Sequence, residues 1–85
     1  MAQIEFKPRW REELEAISSE GKLVFEFTIG RFHVYFPDQQ RWLALPPPAW
    51  ARDHWQTYHD ACQRWCQQNR FPMTLEADAN FYEEK

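Results

Sequence analysis

Glycine is almost missing from this 85-residue chain, which has only Gly21 and Gly30. That excludes a glycine-rich loop cradling phosphates, which needs several glycines at fixed spacing. Cysteine is equally scarce. Cys62 and Cys66 lie four residues apart, whereas a disulfide framework places its cysteines on distant loops. Reduced thiols are therefore expected, in a bacterial-type cytoplasm. Long apolar runs are lacking too: Trp42-Leu43-Ala44-Leu45 and Leu23-Val24-Phe25 are far short of the ~20 residues of a membrane helix. Met1 to Pro8 carries charges and no apolar stretch, so no secretory leader is expected. A surplus of positive charge is also absent, the net charge being −3. This argues against nucleic-acid binding, which neutralises phosphates with Lys and Arg, and against an anionic membrane surface.

Aromatic side chains are what the chain has in quantity, at 18% within an apolar total of 44%. That composition excludes intrinsic disorder. The length fits one domain, 1–85, because a second core needs more chain. Fifteen aromatics at ~150–250 Å² each represent roughly 3,000 Å² of apolar surface. One domain of this mass buries ~9,000–10,000 Å² on folding, so their number alone does not require a partner.

The most informative segment runs from the Pro46-Pro47-Pro48 run to Phe71-Pro72. Ala49 to Asn69 contains no Gly or Pro and holds three of the five tryptophans. At 3.6 residues per turn, Trp50, Ala51, Trp55, Tyr58, Ala61, Cys62, Trp65 and Cys66 share one side, an apolar arc of roughly 160°. The spacing predicts a helix over about 48–69, with Pro48 opening it and Asn69 capping it. A second helix is predicted over about 8–20 from Pro8, Trp10, Leu14 and Ile17. Arg9 with Glu13 and Arg11 with Glu15 would be i,i+4 pairs, and Gly21 a left-handed stop. Before it, Ile4 and Phe6 suit a short edge strand.

From Lys22 the period switches to two. Leu23, Phe25, Phe27 and Ile29 share a face, followed after Gly30 by Phe32, Val34 and Phe36. A tight turn at Gly30-Arg31, with the glycine at positive φ, would pair Ile29 with Phe32, Phe27 with Val34, and Phe25 with Phe36. A turn at Ile29-Gly30 also keeps the apolar faces together but asks Ile29 for a costly backbone conformation, so the first register is favoured. Pro37 to Gln40 reads as a turn and Arg41 to Leu45 as a third strand. Met73, Leu75, Ala77 and Ala79 alternate as a final strand, and Asn80 to Lys85 fits either a strand end or a tail. The expectation is a two-layer α+β fold. A three- to five-stranded antiparallel sheet, with a meander at 22–45, would pack against two helices.

Chemistry is thinly signalled. His59, Cys62 and Cys66 line one helix edge, but His59 and Cys66 are separated by roughly 10.5 Å along the axis at 1.5 Å per residue. No second ligand pair exists, and His33 and His54 stand apart, so neither a metal nor a cofactor is expected. His54 falls in the apolar stripe, away from Asp53 and Asp60, and reads as a core-edge histidine instead of a general base. Ser18 and Ser19 sit at an element end, where hydroxyls serve the backbone. Glu26, Thr28, His33 and Tyr35 share the outer hairpin face, with Glu26 opposite Tyr35 and Thr28 opposite His33. A small enzyme or ligand-binding domain using Glu26, His33 and Tyr35 is the alternative this face offers, although no G-x-S-x-G motif supports it.

Trp50 and Trp55 flank the helix stripe, and Trp42 and Tyr35 lie off the main core phase. Large aromatics at margins are where interface anchors occur. The sequence reading is therefore a cytoplasmic, non-enzymatic protein-binding domain, regulatory or immunity-like. Its partner would be another protein or a second copy, with Trp42, Trp50, Trp55 and Tyr35 as interface residues. Homodimerisation is expected through the Trp50 or Trp55 margin, because a three-stranded sheet only ~10–15 Å wide leaves part of a 160° arc uncovered.

Overall fold

The computed structural model describes residues 3–9, 12–28 and 30–84. Its order is β1 (Glu5–Arg9), β2 (Glu13–Ile17), β3 (Lys22–Thr28), β4 (His33–Pro37), α1 (Gln39–Ala44), α2 (Trp55–Asn69), β5 (Met73–Glu76) and β6 (Phe81–Glu84). The fold is α+β, as expected. The sheet, however, has six strands and is mixed: β1-β2-β3-β4-β5 run side by side, and β6 also pairs with β3. One edge of β3 carries β2. Along its other edge, Lys22 to Phe25 pair with β6 and Glu26 to Thr28 with β4. β5 lies parallel to β4, because the chain returns through both helices.

The hairpin register comes out as read: Phe27 faces Val34, Glu26 faces Tyr35 and Thr28 faces His33. The rings of Phe25 and Phe36 stack at 4.9 Å, although the backbone partner of Phe25 on that edge is Phe81. The Ile29–Phe32 pairing lies outside the described residues. The turn differs, since neither Gly30 nor Gly21 has positive φ. Gly21 serves by close approach instead: a Cβ there would come 2.7 Å from Cζ2 of Trp50, whose ring lies over the β2–β3 turn.

The predicted 8–20 helix does not form. Its described residues fall instead in the paired strands β1 and β2 and the turn after them, and in β2 Leu14 and Ala16, two apart, are both fully buried. The Arg9–Glu13 pair exists at 2.9 Å, but as cross-strand partners closing the β1–β2 hairpin. A four-residue spacing serves a helix turn and a three-residue hairpin loop equally well, and here tertiary pairing overrides helix propensity. Glu12, at φ 60, takes the left-handed position such a loop requires. Trp10 and the Arg11–Glu15 pair lie outside the described residues.

Arg41 to Leu45 is not a strand. Asp38 caps α1, its carboxylate accepting the Arg41 N–H at 2.8 Å, and the single turn buries Trp42 completely. The long helix is shorter than predicted, starting at Trp55. Residues 49–53 form successive turns in which the Arg52 carbonyl accepts the Trp42 indole N–H at 3.0 Å. The helix ends at Asn69, with Arg70 at φ 59 and the Phe71 N–H returning to the Cys66 carbonyl at 2.8 Å.

Both helices and the buried side chains Phe6, Leu14, Leu23, Phe25, Phe27, Val34, Phe36 and Phe81 form one continuous core cluster. The opposite sheet face carries the charges. Five strands abreast span roughly 20 Å at ~4.8 Å spacing, wider than the three-stranded sheet expected, and within α2 Tyr58, Cys62 and Cys66 are buried while Trp55, Ala61 and Trp65 are partly so. The geometric reason for a leftover Trp50–Trp55 margin disappears. Among the described residues, no helix is long and apolar enough to cross a membrane.

Candidate functional site

β1 is an edge strand, pairing only with β2 among the described strands. Between it and α2 runs an open groove of about 600 Å³. Ile4, Glu5 and Phe6 form one wall. Thr57, Ala61, Arg64, Trp65 and Gln68, a single helical face, form the other. Trp65 is half-buried and packs against Phe6 at 5.9 Å and Phe71 at 5.4 Å. Phe71 in turn stacks on Phe32 at 4.9 Å, and Phe32 is 48% exposed. An ordered run of rings thus leads from the groove floor to the surface of the β3–β4 turn. The sequence pattern puts Trp65 on the apolar side of the helix and Phe32 in phase with Val34 and Phe36. The Trp65–Phe71 contact depends on the chain reversal at Arg70, which no local pattern announced.

Trp42 is not a surface residue: it is fully buried and stacks on Phe81 at 4.8 Å. The other three sequence candidates stand on separate supports. Trp50 covers Gly21. Trp55 donates its indole N–H to the Pro37 carbonyl at 2.9 Å and stacks on His59 at 4.9 Å. Tyr35 stacks on His33 at 4.4 Å on the outer sheet face.

That outer face brings Glu26, His33 and Tyr35 together, but engages them differently from a catalytic set. The His33 Nε2 shares a 2.7 Å hydrogen bond with the Thr74 hydroxyl, and Glu26 accepts the Asn80 N–H at 2.7 Å. A shallow cleft of about 350 Å³ opens where β4 and β6 diverge along β3, lined by Glu26, Tyr35, Glu76 and Asp78. His33 is not among its lining residues.

Farther along this face Arg9 is a hub. It binds Glu84 through two nitrogens at 2.6 and 2.8 Å, Glu15 at 2.8 Å and Glu13 at 3.0 Å. The Tyr82 hydroxyl donates to Glu13, which together with Arg9 holds the Glu13 carboxyl below its usual range. Arg9, followed by Lys22, does the same for Glu84. The same bond from Tyr82 to Glu13 pushes the phenol above its ordinary value. These contacts tie β6 to the N-terminal hairpin and relieve the Glu13–Glu26 cross-strand repulsion that the register imposes.

Cys62 and Cys66 are free and buried. The Cys62 thiol is pushed up by its hydrogen bond to Cys66 and by burial, and that same bond pulls Cys66 down. His59 faces Asp60 at 3.0 Å, not the thiols. Among the described residues, no three His, Cys, Asp or Glu side chains converge as a metal site would require. Comparison with protein-family models, curated proteins and solved structures finds no match to this chain.

Proposed function

We propose that this chain is a small non-enzymatic protein-binding domain. Its working surface is the groove between β1 and α2, together with the aromatic run leading to Phe32. The observation carrying this reading is that run, Phe6–Trp65–Phe71–Phe32, packed ring to ring yet reaching solvent at its outer end. Rings already held by neighbours lose little freedom on binding, and aromatic anchors beside an unpaired strand edge supply both apolar contact and backbone hydrogen bonds. The ligand-binding alternative on Glu26, His33 and Tyr35 gains less support, because His33 and Glu26 are committed to Thr74 and Asn80. The partner in this reading is a protein. Nucleic acid and membrane are disfavoured by the net charge of −3.

A photo-cross-linker at position 64 in the groove, compared with one at exposed position 67, tests the reading. The position-64 probe is expected to capture a defined protein whose binding, reconstituted from purified components, is lost in Phe32→Glu. Equal capture from both positions, or binding insensitive to Phe32→Glu, would count against it.

A further inference from the structure

The direction of the free backbone groups on β1 follows from one hydrogen bond. The Phe27 N–H donates to the Glu12 carbonyl at 3.1 Å, so that carbonyl points toward β3. Across the trans peptide the Glu13 N–H points the other way, toward β1. Antiparallel ladders alternate, so Glu5, Lys7 and Arg9 turn their backbone groups inward to β2. Ile4 and Phe6 then present N–H and C=O outward. Pro8 shares the outward phase, where its missing N–H costs the β1–β2 ladder nothing.

Building on the groove as a protein-binding surface, we propose that the occupant of this edge is a second copy of the same chain. It pairs antiparallel about a two-fold axis through Phe6. The argument is charge complementarity. Glu5 and Lys7 flank Phe6 symmetrically, are both well exposed, and lie 3.4 Å apart within one strand. With Phe6 opposite Phe6, Glu5 of each copy faces Lys7 of the other, giving two opposite-charge cross-strand pairs. Centring the axis on Glu5 sets Glu5 against Glu5; centring it on Lys7 sets Lys7 against Lys7 and offers Glu5 only Arg9, which is already committed to Glu84, Glu15 and Glu13. Shifts of odd total register put core-facing side chains on the charged face.

In the Phe6-centred register the two Phe6 residues exchange both backbone bonds, and each Ile4 N–H meets a Pro8 carbonyl. Pro8 ends the ladder there, which restrains longer edge-to-edge association. In this pairing the two grooves flank the axis, each walled by Thr57, Ala61, Arg64, Trp65 and Gln68 of its own α2.

Sedimentation of charge variants tests this, because the register predicts a pattern that no other partner reproduces. Wild type is expected to dimerise in the micromolar range. Glu5→Lys alone and Lys7→Glu alone should each weaken the dimer on the order of tenfold or more. An equimolar mixture of the two variants should recover a one-to-one heterodimer, and the double swap E5K/K7E should self-associate like wild type. Circular dichroism of each variant establishes that the fold persists. A monomeric wild type at the highest concentration overturns the pairing, as does a dimer indifferent to both reversals, or single-variant losses that neither mixture nor swap repairs. If the monomer still cross-links a different protein from position 64, the two-fold pairing fails and the protein-binding reading stands. If neither occurs, both fail.

Discussion

Trp42 and Phe81 stack ring on ring, 4.8 Å between centroids and 9° between planes, locking the one-turn helix α1 to the last strand. A helix of six residues has no stability of its own, since nucleation outweighs so few hydrogen bonds. The indole supplies the missing free energy. It is fully buried, stacks on Phe25 and Phe36 as well, and spends its N–H on the Arg52 carbonyl.

Trp42→Ala should therefore be the most damaging single tryptophan truncation, costing ~3–5 kcal/mol through the cavity and the orphaned carbonyl. That is much of the ~5–15 kcal/mol a small domain holds. Trp65→Ala, at a half-buried site, should cost less and leave a folded protein. Urea denaturation of the two variants checks the order; equal midpoints would show that Trp42 does not hold the core.

Arg70 occupies the left-handed region at φ 59 and is exposed, and its own side chain makes none of the helix C-terminal bonds, which come from the Arg70 and Phe71 N–H groups and the Asn69 side-chain amide. Arg70→Gly should remove the Cβ strain and stabilise the fold by about 0.5–1 kcal/mol, net of the added unfolded-chain entropy. Thermal melting should show an upward shift of a few degrees. An unchanged or lowered midpoint would count against the cap geometry.

The Arg9 hub predicts a pH profile. The folded-state pKa values of Glu13 and Glu84 are lowered, so their stabilisation is present above the ordinary carboxyl range and is lost as pH falls through the folded values. The melting midpoint should drop between about pH 5 and pH 3, and less steeply in Arg9→Gln. Tyr82 is raised, so its contribution persists below the ordinary tyrosine pKa and is lost as pH rises through the folded one. Phenolate absorbance should appear late for Tyr82 and shift back in Glu13→Gln. Identical acid limbs in wild type and Arg9→Gln would remove the hub from the account.

A core held by side-chain packing is expected to fold with neither metal nor disulfide. Chelator with reductant should leave the thermal midpoint unchanged. The buried Cys62 and Cys66 should react with a thiol reagent only after denaturation. A midpoint lowered by many degrees, or fast labelling of the native protein, would show otherwise.

The β3–β4 hairpin was legible because its period-two pattern excludes registers shifted by one residue, and a turn at Ile29-Gly30, which also keeps the apolar faces together, asks Ile29 for a costly backbone conformation. Phe27 opposite Val34 follows from the two together. The β1–β2 hairpin was not, because Leu14 and Ile17 satisfy a helical stripe while Leu14 and Ala16 satisfy a strand, and Glu and Ala favour the helix. α1 was hidden by its brevity; only the Asp38 cap, three residues before Arg41, marks it. The groove was invisible for a different reason. It joins residues 4–6 to residues 57–68, and no local pattern reports a contact across that separation.

Amide exchange at Phe6, compared between dilute and concentrated protein, addresses the β1 edge at a single atom. In the dilute state this N–H should exchange freely while that of Phe25, in the central strand, is protected. With rising concentration, or on addition of a reconstituted partner, protection should appear at Phe6 and Ile4 together and leave Lys7 as it was. Free exchange at Phe6 under all of these conditions would mean that the edge stays unpaired and that the chain does not work through it.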